Sequence, residues 1–219
     1  MQQAIEALGA MRFLSHASAS DLAALASASF FRRLNKGQVL FTEGDASEHV
    51  FVVASGRLKI QSTSSRGEDL VYAVVGPGEL FGELSVLDGS ARSASALTLD
   101  EVELWCVPGP ALLSVVRASP AVALALAQEL AGQLRRLTVT TADLVFLDLP
   151  RRLAKFLATN GRGGGISEQA QSDVAAQLGV TRQSLNRALQ RLQDRGWVDV
   201  QRTAITVLDL PALERFADS

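Results

Sequence analysis

Thiols and rings are scarce in this chain. Cysteine occurs once in 219 residues, histidine twice and tyrosine once, and aromatic side chains make up 5%. A single thiol, Cys106, cannot close an intrachain disulfide, and its place in the apolar run Val102-Glu103-Leu104-Trp105-Cys106-Val107 marks a core residue. His16 and His49 stand alone, no His and Asp residues cluster as metal ligands, and no nucleophile is paired with a base. Hydrolytic chemistry is therefore a distant alternative. Long apolar runs are also missing: none reaches bilayer length, and Met1-Gln2-Gln3-Ala4-Ile5-Glu6 has no basic leader or following apolar core, so a cytoplasmic protein without membrane contact is expected. Excess charge is missing too. The net charge is −2, so binding to nucleic acid would require positive charge concentrated in one region.

The chain is rich in apolar residues, 47%, and contains 17 glycines, core enough for two small domains. Residues 150–202 hold nine Arg and Lys against four Asp and Glu, so the positive charge is local. Residues 1–30 read as one or two short helices, with Ser20 as an N-cap before the apolar positions that follow. From residue 30 to 108 the period falls to two. Segments 39–41, 50–54, 58–61, 70–75, 94–99 and 102–107 are short β-type runs, separated by turns such as Asn35-Lys36-Gly37, Glu43-Gly44-Asp45 and Ser55-Gly56-Arg57. Short strands closed by glycine turns predict a β-sandwich or roll.

Within that region, Phe81-Gly82-Glu83-Leu84-Ser85-Val86-Leu87-Asp88-Gly89-Ser90-Ala91-Arg92-Ser93-Ala94 gathers glycines, a carboxylate and an Arg-Ser pair. Arginine followed by serine can hold a phosphate with a guanidinium fork and a hydroxyl, while glycines let backbone N–H groups approach. Glu83 would repel a phosphate, so its fitting target is a neutral donor such as a sugar hydroxyl. Together these groups describe a nucleotide site. The plain alternative is a tight turn whose Arg92 and Glu83 form a surface ion pair. Gly82-Glu83-Leu84 followed by Arg92-Ser93-Ala94 resembles the phosphate-binding cassette of the cyclic-nucleotide domain in the Crp/Fnr family of bacterial transcription regulators, and Lys36-Gly37-Gln38-Val39-Leu40-Phe41 extends the resemblance to the surrounding roll. The resemblance implies Arg92 and Ser93 on a cyclic phosphate, Glu83 on the ribose 2′-hydroxyl, and Gly82, Glu83 and Leu84 around the pocket. Substituting Arg92 by Leu is expected to remove the nucleotide response and leave a folded dimer.

Residues 111–147 contain one glycine, Gly132, and one proline, Pro120, and Ala123, Ala127, Leu130, Leu134, Leu137, Thr141 and Leu144 recur at steps of three and four. That is a coiled-coil seam on a long helix. A helix packed wholly within its own chain is the competing reading. In the resembled family this helix is the homodimer interface. Pro150 and Asp148 mark a break and a new N-cap, followed by a helix to about residue 160 and a Gly-rich loop at 161–165. Residues 171–178 and 182–192 read as two helices around the turn Gly179-Val180-Thr181, with Leu185, Leu189 and Leu192 facing a core, and residues 196–207 give two strands of a wing. Ala175-Ala176-Gln177-Leu178-Gly179-Val180-Thr181-Arg182 resembles the helix-turn-helix of the same family.

The expected fold is therefore α+β: a β-roll (jelly-roll) cyclic-nucleotide-binding sensor over residues 1–118, a dimerisation helix and hinge over 119–148, and a winged helix-turn-helix over 149–219. By resemblance, Arg182, Gln183 and Arg187 read each half of a palindromic operator in double-stranded DNA. Arginine can bind guanine bidentately, and Gln183, which departs from the common family glutamate, suits adenine. Gln171, Ser172 and Thr181 complete the expected DNA-contacting set, although Ala170 stands where many relatives carry a capping threonine. In cyclic-AMP-responsive relatives a threonine and a serine read the base; ungapped counting places Leu137 and Thr138 there, and only Thr138 keeps a hydroxyl. Cyclic AMP is the expected effector and RNA polymerase the expected further partner, with no metal or haem. The family's iron–sulfur oxygen sensors need several cysteines, which this chain lacks. Another cyclic nucleotide, or a pocket without a ligand, remains an alternative.

Overall fold

The computed structural model describes every residue except Arg66, Glu68, 161–170, Arg202, Thr203 and Ser219, together with the side chains of Ser172 and Asp173. The Gly-rich loop at 161–165, Ala170, part of the wing and the Ser172 side chain therefore lie outside the described set. The chain divides into two units, Met1–Thr63 with Tyr72–Gln133, and Ser64–Val71 with Leu134–Ser219.

The first unit begins with α1 (Gln2–Gly9), a 3-10 turn (Phe13–His16) and α2 (Ala19–Ala28). The cap of α2 is Ser18, two residues before the expected Ser20, because Ser18 and Asp21 close a reciprocal capping box. Strands β1 (Phe30–Leu34), β8 (Val102–Pro108), β3 (His49–Ser55) and β6 (Leu80–Phe81) form one four-stranded sheet in that spatial order; β2 (Val39–Phe41), β7 (Ser95–Thr98), β4 (Leu58–Thr63) and β5 (Asp69–Val75) form another. Side chains alternate across β3. Phe51 and Val53 enter a core with Leu58, Ala96 and Leu104, whereas Val50 and Val52 enter a second core with Leu8, Phe13, Leu14, Leu25 and Leu112. Burial on both faces explains why β3 reads as a continuous apolar run. The second core is closed by α4 (Gly109–Ala118) and by Val122 and Leu126 of α5 (Pro120–Phe146). Between β6 and β7 lies α3 (Glu83–Asp88), a short helix within the segment that the sequence presents as a turn.

Helix α5 is 27 residues long, so it extends about 40 Å at 1.5 Å per residue. Beyond Leu130 its apolar residues lie bare: Leu134 is 65% exposed, Leu137 53% and Leu144 53%. Of the fifteen large apolar side chains exposed among the described residues, seven belong to α5, which sets this helix apart. No single helix among the described residues is long and apolar enough to cross a membrane.

In the second unit, Asp148 caps α6 (Leu149–Asn160), its Oδ1 accepting from the Arg151 N–H at 3.1 Å. Lys155 donates to Asp143 at 2.8 Å across the break between α5 and α6. Helices α7 (Gln171–Gln177) and α8 (Arg182–Gln193) pack with α6, with the hairpin β9 (Val198–Val200) and β10 (Ile205–Val207), and with a terminal helix α9 (Leu210–Asp218) absent from the sequence reading. Their shared core includes Leu153, Leu157, Val174, Leu185, Leu189, Leu192, Val198, Ile205 and Leu213.

Candidate functional site

The segment containing Glu83 and Arg92 is built around α3, whose two ends are glycines in the left-handed region, Gly82 at φ 75° and Gly89 at φ 73°. Gly82 has a second reason to lack a side chain: a Cβ there would lie 2.7 Å from Nη1 of Arg92. Arg92 itself is 5% exposed. Nη1 donates to the Gly82 carbonyl at 2.7 Å and to Ser85 Oγ at 3.0 Å, and Nη2 donates to the His49 carbonyl at 2.6 Å. The guanidinium lies 4.3 Å from the Phe41 ring centroid and 5.3 Å from that of Phe51. Phe41, Phe51 and Phe81 pack against one another, so an aromatic-poor chain concentrates three rings at this point. The backbone of Arg92 is tied to the turn before β3, donating to the Asp45 carbonyl and accepting from the Gly44 N–H, each at 2.9 Å.

These partners leave donors to spare. A guanidinium carries five N–H groups. Nε is buried without a partner, and it lies on the same edge as Nη2, which has used one of its two hydrogens. Burial lowers the pKa of Arg92, opposed by the charges of Asp45 and Glu83. The anchoring gives leucine at position 92 a stability cost as well, because the three acceptors would lose their donor.

Glu83 is also 5% exposed. Burial raises its pKa, and the Glu129 charge adds to that; its own backbone N–H, the Gln133 amide and Arg92 pull the other way. Both Glu83 and Arg92 being buried, a surface ion pair does not describe them. Ser93 is exposed, and Leu84 is 47% exposed on α3. A cleft of about 590 Å³ borders the cassette along Ser85, Val86 and Gly89 to Ala91, but Glu83, Arg92 and Ser93 are not in its lining. The structure thus gathers Gly82, Glu83 and Arg92, whereas Leu137 and Thr138 belong to the second unit. The Thr138 hydroxyl donates to the Leu134 carbonyl of its own helix at 3.0 Å.

A second surface forms on α8. Thr181 caps it, Oγ1 accepting from the Ser184 N–H at 3.2 Å. Leu185, Ala188, Leu189 and Leu192 are buried, while Arg182, Gln183, Asn186, Arg187 and Arg191 are exposed on the other side. Three other cations of this unit are committed: Arg152 donates to the Leu178 carbonyl, Lys155 pairs with Asp143, and Arg195 lies over Trp197 and Phe216. Among the described residues no ion pair engages Arg182, Arg187 or Arg191. Gln171 is half-buried at the start of α7. Leu149, Pro150, Ser184, Arg187, Ala188 and Arg191 line a cleft of about 250 Å³ between the start of α6 and α8.

Residues 31–119 match the cyclic nucleotide-binding domain, and residues 151–216 match the Crp-like helix-turn-helix domain. The cyclic AMP receptor protein of Thermus thermophilus is 33% identical over 207 residues, which cover 93% of this chain and 96% of that protein. This chain belongs to the Crp/Fnr family of transcription regulators. A CRP-like cAMP-activated global transcriptional regulator of Mycobacterium tuberculosis is 31% identical over 191 residues, covering 83% of this chain and 85% of its own. Among solved structures, a putative Crp/Fnr regulator from Eubacterium rectale aligns with a TM-score of 0.79 at 18% identity, over 96% of this chain and 100% of that one. The catabolite activator protein of T. thermophilus gives 0.55 at 30% identity, over 94% and 98%.

As a Crp/Fnr member, the chain is a DNA-binding transcription regulator with a cyclic-nucleotide sensor domain, not an enzyme. Sequence reasoning missed Phe41, Phe51, Ser85, Glu129 and Gln133 around the cassette, and Ser184 and Arg191 on α8. Gln133 had a detectable signal: it is polar at a position that continues the stripe of Val122 and Leu126.

Proposed function

We propose that this regulator is a homodimer whose affinity for a palindromic operator is controlled by a cyclic nucleotide, cyclic AMP, bound at the cassette. The observation that carries the reading is the Arg92 guanidinium, held by three protein acceptors with its Nε unpaired and buried beside Glu83. An anionic oxygen on the Nε and Nη2 edge would supply the missing acceptor, with the exposed Ser93 hydroxyl adding a second donor. Glu83 then accepts from the ribose 2′-hydroxyl. The choice of cyclic AMP rests on the two relatives named for it at 31% and 33% identity.

The bare apolar face of α5 supports dimerisation, since a second copy of the same helix can cover it along Leu134, Leu137 and Leu144. Residues 1–118 would serve as sensor, 119–148 as dimerisation helix and hinge, and 149–219 as the DNA-binding domain. Nucleotide favours one arrangement of the paired helices, and rotation at Asp148 to Pro150 sets the recognition helices about 34 Å apart, the spacing of successive major grooves. Arg182, Gln183 and Arg187 read bases, and the exposed Arg191 meets a backbone phosphate. The setting is the cytoplasm, with RNA polymerase as a further partner.

A ligand-independent regulator is the second reading, favoured by the three protein acceptors already on Arg92 and by Leu137 where a hydroxyl was sought. Calorimetric titration of the full-length protein with cyclic AMP, cyclic GMP and cyclic di-GMP separates the two; the last is included because a protein of the same fold from Xanthomonas campestris is named as c-di-GMP responsive. Saturable binding of cyclic AMP, near one per subunit, is expected. No heat with any of the three would leave the ligand-independent reading.

A further inference from the structure

Ser85 is a hydroxyl in a place that packing alone would give to alanine. It lies on α3, is 5% exposed, and is followed by the core residue Val86. A buried hydroxyl costs stability unless it is bonded, so what Ser85 contributes lies in its partners. Its Oγ accepts from Arg92 Nη1 at 3.0 Å and donates to Ser47 Oγ at 2.9 Å. The direction is fixed, since a guanidinium has hydrogens and no acceptor. Guanidinium, Ser85 and Ser47 thus form one polarised chain in which each bond strengthens the next. Both serines line the cleft of about 590 Å³, from whose lining Arg92 is absent, so the chain reaches the guanidinium from the cleft side. Counting hydrogens gives the consequence. Nη1 commits both of its own, to the Gly82 carbonyl and to Ser85, and Nη2 commits one to the His49 carbonyl. Two of the five remain, on Nε and on Nη2. The Phe41 ring, its centroid 4.3 Å away, sets the plane of the group, and the hydrogen bonds select which edge of that plane is left.

We propose that Ser85, held by Ser47, is a positioning residue of the nucleotide site: it occupies Nη1, so that Arg92 offers a single edge and the sensor distinguishes the two exocyclic oxygens of a cyclic phosphate. The inference rests on the cyclic-nucleotide reading above and adds stereochemical selection at phosphorus. The two exocyclic oxygens of a cyclic phosphodiester lie on opposite faces of the phosphate ring and are not equivalent. The two free hydrogens on the Nε and Nη2 side engage one of them. With alanine at position 85, an Nη1 hydrogen is released away from Nε, and the guanidinium gains a second way of meeting the phosphate, through Nη1 and Nη2. The loosened side chain must then be ordered when nucleotide binds, which weakens affinity. Ser47 acts one bond further out. Without it, the Ser85 hydrogen is left with the Gly82 carbonyl, 3.5 Å away, and Oγ is no longer held toward Nη1.

The test uses the two epimers of cyclic AMP phosphorothioate, in which sulfur, a weaker hydrogen-bond acceptor, replaces one exocyclic oxygen or the other. Full-length wild type, Ser85→Ala, Ser47→Ala and Ser47→Thr are titrated calorimetrically with cyclic AMP and with each epimer. Wild type should bind one epimer about tenfold or more tightly than the other, the worth of one hydrogen bond to a charged group. Ser85→Ala should bring that ratio to about twofold and weaken cyclic AMP by about fivefold, the effect of having to order one long side chain. Ser47→Ala should move the ratio the same way, and Ser47→Thr, which keeps the hydroxyl, should restore it. A substitution that only loosened the roll would weaken both epimers together and leave the ratio alone. A wild-type ratio near one, or a ratio kept by Ser85→Ala, overturns the role of Ser85 while binding of cyclic AMP keeps the nucleotide reading in place; should Ser85→Ala not fold, a ratio kept by Ser47→Ala overturns it equally. Absence of cyclic AMP binding by wild type overturns both.

Discussion

Replacing Arg92 by leucine should unfold part of the sensor's stability as well as its ligand site. The wild-type guanidinium donates to two backbone carbonyls and one hydroxyl at 2.6–3.0 Å, and 5% of the residue is exposed. Leucine supplies none of those donors. Each acceptor left dry costs about 1–3 kcal/mol, and loss of the contact with Phe41 adds about 1 kcal/mol. Relief of the guanidinium's desolvation and burial of the leucine side chain offset roughly half of the total, the latter contributing about 2 kcal/mol. The net loss is about 3 kcal/mol. Urea unfolding of wild type and variant, followed by Trp105 fluorescence in the sensor, measures it, with nucleotide absent from both samples. Ser93→Ala is the companion variant: Ser93 is exposed, so its stability should change by no more than about 0.5 kcal/mol while nucleotide affinity falls. A wild-type midpoint for Arg92→Leu would refute the anchoring role deduced from the three hydrogen bonds.

Other variants probe separate parts of the molecule. Glu83 has a raised folded pKa, so the folded state holds its proton more tightly than the unfolded chain. Stability should therefore fall as pH rises from the ordinary value of 4.5 through the raised one, and Glu83→Gln should melt higher than wild type at neutral pH while losing nucleotide binding; a lower melting temperature for the variant at neutral pH would contradict the sign. Arg187→Ala should cost about 1–3 kcal/mol of base discrimination, whereas Arg191→Ala should weaken all sequences alike and reduce the salt slope by about one, as binding titrations on matched and mismatched duplexes would report. Leu134→Glu places a charge on a side chain 65% exposed in one chain. Losing two buried leucines per dimer, at about 1.5–3 kcal/mol each, should weaken dimerisation by roughly a hundredfold or more in sedimentation equilibrium, and an undisturbed dimer would point the interface elsewhere.

Punctuation carried much of the fold into the sequence. Glycine turns separated the strands of the roll, Asp148 and Thr181 marked helix starts that the structure confirms by their capping bonds, and the apolar spacing of Leu185, Leu189 and Leu192 placed the core side of α8. Short elements were harder. Helix α3 has six residues, too few for a helical period, and it lies between glycines that signal turns equally well. Strand β6 has two residues. The Arg-Ser and Gly-Glu spacing exposed the cassette because its chemistry is contiguous in sequence. The partners of Arg92 were not legible, since two of them are backbone carbonyls, which carry no residue identity, and one of these lies 43 positions away. Glu129 and Gln133 required knowing which side of α5 faces the cassette, and that depends on packing by Val122 and Leu126.

Linkage between nucleotide and DNA is tested most directly by fluorescence anisotropy on a labelled palindromic duplex, selected from a random pool in the presence of cyclic AMP. Full-length protein is titrated at fixed salt with and without saturating cyclic AMP, after calorimetry has established that cyclic AMP binds. Operator affinity should rise by about tenfold or more with nucleotide, a coupling of roughly 1.4 kcal/mol. Equal affinity with and without bound nucleotide would contradict nucleotide control of operator binding.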